Sequence, residues 1–81
     1  MPKLRVLSGK KVSKIFLSFN FNVAAQKGSH IKLVRVLSGG VRQTLTIPNH
    51  PELDKGTIRA IYRQALRYIS ENELKPHFYS K

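Results

Sequence analysis

The chain is 81 residues long and strongly basic, with 15 Lys and Arg against four Asp and Glu and a net charge of +11. This length fits one small domain, a hydrophobic content of 41% excludes a disordered chain, and the lack of cysteine excludes disulfides, thiol nucleophiles and cysteine-based zinc sites. No apolar run reaches the length of a bilayer span and no secretory signal opens the chain, so we expect a cytoplasmic protein without a membrane partner.

The first predicted element is an amphipathic helix with Ser8 as its N-cap. Its apolar residues recur at helical spacing: Val12, Ile15, Phe16 and Phe19. Between them stand three lysines: Lys10, Lys11 and Lys14. Because lysines early in a helix oppose its dipole, we expect these three to serve something other than helix stability.

Three strands with an alternating pattern follow, predicted over residues 21–26, 30–37 and 41–47. In the first of them, Phe21, Val23 and Ala25 are predicted to share one face. The alternation of the second strand is clean at its start and blurred at its end. Lys27-Gly28 and Ser38-Gly39-Gly40 supply the two turns, so the sequence predicts an antiparallel sheet with one apolar face and one polar face.

A second amphipathic helix is predicted after a proline-rich loop, with Thr57 as its N-cap. Its apolar stripe contains Ile58, Ile61, Ala65 and Ile69, and its basic stripe contains Arg59, Arg63 and Arg67. Residues 71–81 show no sustained period. We therefore predict one domain over residues 1–70 and a tail over 71–81, and the pattern leaves open whether the tail docks on the domain or stays loose.

The order helix, three antiparallel strands, helix predicts an α+β fold of two layers, in which both helices cover the apolar face of the sheet. This α-β-β-β-α order is that of the double-stranded-RNA-binding domain. The polar sheet face, the loops and the basic helix stripes remain available for a partner.

The charge distribution indicates a polyanionic partner. All four acidic residues lie after Pro51, so the first 51 residues carry no carboxylate. A field of one sign attracts nucleic acid and makes its binding salt-dependent. Positive charge that only keeps the chain in solution, or that attracts an acidic protein, is the alternative.

His30 is the candidate for chemistry. The four carboxylates share no helical or strand register, which argues against a two-metal nuclease, while His50 lies between prolines and His77 in the tail. His30 follows a glycine turn and opens a strand that carries Lys32 on the same face. A neutral imidazole there could take the proton of a ribose 2′-hydroxyl, with Lys27, Lys32 or a nearby arginine stabilising the charge and no metal or other cofactor. A phosphate contact without catalysis is the alternative role.

Several short motifs occur in the order typical of one family. They are Ser8-Gly9-Lys10, Gln26-Lys27-Gly28-Ser29-His30, Thr46-Ile47-Pro48, and Lys55-Gly56-Thr57-Ile58 followed by Arg59, Ile61 and Gln64-Ala65. Over residues 8–69 the chain thereby resembles the HicA (YcfA-like) toxins. The resemblance implies a small ribonuclease with a double-stranded-RNA-binding-like fold that cleaves messenger RNA and is held inactive by a HicB antitoxin.

The resemblance also implies that His30 is the catalytic residue, because the histidine of the Gly-Ser-His motif has that role in the family. Many members carry a second histidine directly after it, where this chain has Ile31. We predict RNA contacts at Lys10, Lys11, Lys14, Lys27, Gly28, Ser29, Lys32, Arg42, Arg59 and Arg63. A non-catalytic RNA-binding module is the main alternative, and a DNA-binding or ribosome-associated protein is a more distant one.

Overall fold

The computed structural model describes residues 2–80 and confirms the predicted α+β fold. The elements are β1 (Lys3–Leu4), α1 (Gly9–Leu17), β2 (Asn22–Lys27), β3 (His30–Val36), β4 (Arg42–Pro48), α2 (Lys55–Ala65), α3 (Glu71–Phe78) and β5 (Tyr79–Ser80). A single 3₁₀ turn, Ser38–Gly40, joins β3 to β4. Among residues 2–80, no helix combines the length and the hydrophobicity that a bilayer-spanning segment requires.

The central sheet is antiparallel, with strand order β2-β3-β4. Ile31 pairs with Ile47 and Leu33 with Leu45, and all four side chains are buried. Because directly paired residues point to the same face, these pairs define the inner face, on which α1 and α2 pack. The next residues along each strand define the outer face, on which His30, Lys32, Thr44 and Thr46 are exposed.

Strand β2 departs from the predicted pattern. All six of its residues are exposed, and a register shift between Val23 and Ala25 places Ala25 opposite Lys32, on the outer face. The prediction that Val23 and Ala25 share a face with buried Phe21 is therefore wrong for Ala25. A bulge inserts one residue into the strand and reverses the alternation beyond it, and an edge strand lacks the helix cover that would require a strict pattern.

Helix α2 begins earlier than predicted. Its N-cap is Asp54, whose carboxylate accepts a hydrogen bond of 2.7 Å from the backbone N–H of Thr57, so the prediction of Thr57 as N-cap is wrong. This bond lowers the pKa of the Asp54 carboxyl group, because it favours the charged form. The Ser8 N-cap of α1 is confirmed by a bond of 3.0 Å from the N–H of Lys11.

The last ten described residues pack on the domain. Helix α3 places Leu74 and Phe78 fully inside the core, and β5 pairs with β1 in a small antiparallel sheet. The N–H of Arg5 donates to the carbonyl of Phe78 at 2.8 Å. Of the two possibilities that the sequence left open for this segment, the structure shows docking.

Arg35 explains the blurred alternation of the second predicted strand. It lies on the inner face of β3, where it donates to Gln43 Oε1 at 2.7 Å. It also donates to the carbonyls of Phe19 at 3.0 Å and Tyr68 at 2.9 Å. A charged side chain thus occupies an apolar register position because it satisfies backbone groups just beyond the ends of both α1 and α2.

Candidate nucleic-acid interface

The turn between β2 and β3 fixes the position of His30. Lys27 and His30 are paired across a two-residue turn made of Gly28 and Ser29. Gly28 has a φ of +55°, and Ser29 is not among the residues with positive φ, which is the pattern of a type II′ hairpin. A Cβ at Gly28 would meet no atom within 4 Å, so glycine is required there by the backbone angle and not by lack of space.

His30 is exposed on the outer face of the central strand. Its paired residues are Lys27 on β2 and Pro48 on β4. Lys32 lies two residues further along the same face and is exposed as well. The imidazole is therefore open to a ligand, on a face where the structure also places two lysines.

Arg42 belongs to the same face but to its far end. It pairs with Val36, six residues along β3 from His30. At the rise of a strand, this corresponds to about 20 Å. Arg42 thus lies far from His30, while Lys27 and Lys32 lie near it.

The N-terminal end of α1 lies against the His30 end of the sheet. The N–H of Gly9 donates to the carbonyl of His50 at 2.9 Å, and the N–H of Asn49 donates to the carbonyl of Ser29. A Cβ on Gly9 would overlap the carbonyl oxygen of Pro48 and would lie 2.8 Å from the Cα of Asn49. Only glycine permits this approach of α1 to the loop after β4, and that loop in turn contacts the β2–β3 turn through Asn49.

The lysines of α1 are all exposed. Lys10 and Lys11 lie in the first helical turn, which is the part of α1 in contact with the loop after β4. Lys14 lies one turn further along the helix. The structure therefore places Lys10 and Lys11 at the end of the molecule that carries His30. Lys14 lies one helical turn further from that end.

Arg59 and Arg63 lie elsewhere. They are exposed on α2, while Ile58, Ile61 and Ala65 of that helix are buried toward the sheet. Because α2 packs on the inner face, the opposite side of the helix points away from the sheet. The two arginines are consequently separated from the His30 face by the thickness of the domain.

The structure also reveals a feature that sequence reasoning missed. A depression of about 430 Å³ is lined by Ser8, Lys10, Asn49, His50 and Pro51. No local sequence pattern indicates that the loop of His50 contacts α1. Within residues 2–80, no cluster of three or more His, Asp or Glu side chains has the arrangement of a metal site.

Comparison with known proteins yields one family. A family model described as the HicA toxin of bacterial toxin-antitoxin matches residues 9–66, which run from the first residue of α1 to the residue after α2. No curated protein and no solved structure matches the chain. The matched region contains the three-stranded sheet, the glycine turn and His30.

Proposed function

The chain belongs to the HicA toxin family, and on this basis we propose that it is an endoribonuclease toxin that cleaves messenger RNA without a metal ion. The observation that carries the proposal is the position of His30, exposed on the outer sheet face next to Lys27 and in line with Lys32. An enzyme that acts on a long polymer needs its reactive group on an open, cationic surface, and this face meets that requirement.

In the proposed reaction, His30 takes the proton from a ribose 2′-hydroxyl. The resulting oxygen attacks the adjacent phosphorus, the bond to the 5′-oxygen of the next nucleotide breaks, and that oxygen takes up a proton from water. His30 then releases its proton to the solvent and returns to the neutral form. The products are a 2′,3′-cyclic phosphate and a 5′-hydroxyl. Lys27 and Lys32 stabilise the negative charge that develops on the phosphoryl oxygens, and acid–base catalysis of this kind typically contributes about 10²–10⁴-fold.

The distribution of carboxylates supports a route without metal. The first 51 residues, which include all three strands of the central sheet, contain no Asp or Glu. Magnesium prefers carboxylate and other oxygen ligands, and a two-metal site needs several of them. The nucleophile in the proposed route is supplied by the RNA itself.

The partner that we propose is a HicB-type antitoxin with an acidic surface. Net charge of +11 favours such a partner, and the outer sheet face is open to it. If the antitoxin covers this face, Lys32→Glu weakens the complex, whereas Lys75→Glu on α3 leaves it unchanged. Equal weakening by both variants would show that only overall charge matters.

The direct test compares wild type with His30→Ala and His30→Gln on single-stranded RNA in the presence of a chelator. We expect cleavage by the wild type and a loss of at least about 10²-fold in both variants. Because His30 is exposed, both variants should keep the wild-type circular dichroism spectrum. Growth arrest on expression should be lost in parallel.

The alternative function, a non-catalytic RNA-binding module, is favoured by the same cationic face. It predicts that the wild type binds RNA and leaves it intact. If His30→Ala cuts RNA as fast as the wild type, the protein is a ribonuclease but His30 is not its catalytic residue.

A further inference from the structure

A second anion site is suggested by the depression next to α1. Its lining contains four residues with polar side chains, one proline and no carboxylate: Lys10, His50, Asn49, Ser8 and Pro51. Lys10 and His50 are exposed, so both can reach a ligand in the depression. Ammonium, imidazole N–H, amide and hydroxyl groups are all hydrogen-bond donors, and together they suit a phosphate.

The backbone around the depression is held from several sides. The carbonyl of His50 accepts from Gly9, and the N–H of Asn49 donates to Ser29. The N–H of Leu53 donates to the carbonyl of Leu7 at 2.9 Å. The loop that carries Asn49 and His50 is therefore tied to both α1 and the β2–β3 turn, which fixes the backbone positions of the lining residues before any ligand binds.

Of the two acidic residues in the loop before α2, Glu52 does not line the depression and Asp54 is already engaged. His50 lies close enough to Asp54 to help lower the pKa of the Asp54 carboxyl group. That carboxylate, however, accepts a hydrogen bond from the N–H of Thr57 as the N-cap of α2. It does not line the depression. The positive charge there is thus available to an external anion.

The depression adjoins the His30 face without being part of it. Pro48 pairs with His30, and His50 follows Pro48 by two residues. From strand spacing and chain length, the Cα atoms of His30 and His50 lie within about 13 Å of each other. The two sets of groups are therefore close enough for neighbouring phosphates of one RNA strand to contact them.

We propose that the depression binds the RNA phosphodiester next to the scissile one, and that Lys10 and His50 contact this phosphate. The inference rests on the proposed function and adds to it a second phosphate subsite that sets the register of the RNA on His30. His50 is a binding residue in this account, and the chemistry stays with His30.

The experiment uses the full chain and a short single-stranded RNA in which one phosphate at a time is replaced by a neutral methylphosphonate. Binding is measured in the His30→Ala background, so that no RNA is cut. The variants are Lys10→Ala/His50→Ala and, as a control for the loss of positive charge, Lys75→Ala on α3. We expect the double variant to bind about tenfold more weakly and Lys75→Ala to bind nearly normally.

The decisive readout is the coupling between protein and RNA changes. One methylphosphonate position should weaken binding with Lys10 and His50 present and have no further effect in the double variant. In the cutting-competent protein, that position should flank the mapped cut site. The inference is overturned if the double variant and Lys75→Ala lose equal affinity, or if the methylphosphonate penalty persists in the double variant.

Failure of the proposed function gives a different result. If wild type does not cut RNA but the methylphosphonate penalty disappears in the double variant, the phosphate subsite stands and the ribonuclease assignment fails.

Discussion

Replacing Gly9 by alanine should destabilise the domain strongly, although the change adds only one methyl group. The added Cβ would overlap the carbonyl oxygen of Pro48 and would lie 2.8 Å from Asn49 Cα and 3.1 Å from the nitrogen of His50. All three neighbours are backbone atoms, so no side-chain rotation relieves the overlap. Either α1 or the loop after β4 has to move, and the hydrogen bond between Gly9 and His50 is lost with it.

The cost follows from these two contributions. Overpacking costs about 1–3 kcal/mol, and a lost hydrogen bond adds about 1 kcal/mol. The expected loss is therefore about 2–4 kcal/mol, a large fraction of the stability of a domain of this size, and it lowers the Tm by about 10–20 °C. Urea unfolding followed by circular dichroism measures the free energy of unfolding directly.

Gly56→Ala is the matched control. A Cβ at Gly56 would lie 3.5 Å from Asp54 Oδ1, which is an ordinary contact, and Gly56 is a residue of α2 with no positive φ. Alanine should therefore leave the stability unchanged or raise it by up to about 1 kcal/mol. Surface substitutions typically change the free energy of unfolding by up to about 0.5 kcal/mol. If the free energy of unfolding of Gly9→Ala differs from that of the wild type by no more than this, the close approach of α1 to the loop is refuted.

Three further predictions concern the parts of the fold that hold the site in place. Arg35→Lys should cost about 1.5–3 kcal/mol in urea unfolding, because an ammonium group cannot reach all three acceptors of the guanidinium, and an unchanged midpoint would contradict this role. Leu74→Ala should cost about 2–5 kcal/mol, whereas its exposed neighbour Lys75→Ala should have almost no effect, and equal stabilities would show that α3 is not docked. Burial and the hydrogen bond to Glu71 raise the pKa of Tyr62 to about 12, so the unfolded chain loses this proton first and stability should fall between pH 10 and 12. Tyr62→Phe should remove that part of the pH dependence in thermal unfolding, and an unchanged slope would argue against it.

The elements with a regular local pattern could be predicted from the sequence. The spacing of Val12 and Phe16 marks the buried face of α1, and the alternation of Leu45 and Ile47 marks the inner face of β4. One face of each of these elements is fully covered by the core, so the apolar residues recur at regular spacing within the element itself. Strand β2 lies at the sheet edge and carries a bulge, so its faces are set by neighbours that the local sequence does not identify.

Helix α3 has too short a sequence pattern to be predicted. Only Leu74 and Phe78 are buried, at a spacing of four, and Pro76 argues against a helix. Ser70 followed by Glu73 has the spacing of a capping box and could have indicated the start. Eight residues with one apolar pair remain too few for a periodic pattern to stand out.

The candidate site was predictable only in part. The Gly-Ser-His motif identifies His30 and its turn, since glycine and the strand register act over a few residues. The contact of Gly9 with the loop after β4 joins segments about 40 residues apart in the sequence, and it is this contact that brings His50 and Lys10 to one depression. Contacts between distant segments leave no local sequence pattern. Nothing but its residue type therefore indicates that His50 could bind a ligand.

The most direct test of the account is cleavage of an RNA that carries a single 2′-deoxyribose at the mapped cut site. If His30 acts by removing the proton of the 2′-hydroxyl, this substrate stays intact at the cut site, while a deoxyribose placed elsewhere in the same RNA leaves cutting unchanged. Cleavage of the deoxy-substituted bond at a rate comparable with that of the all-ribose RNA would contradict the mechanism.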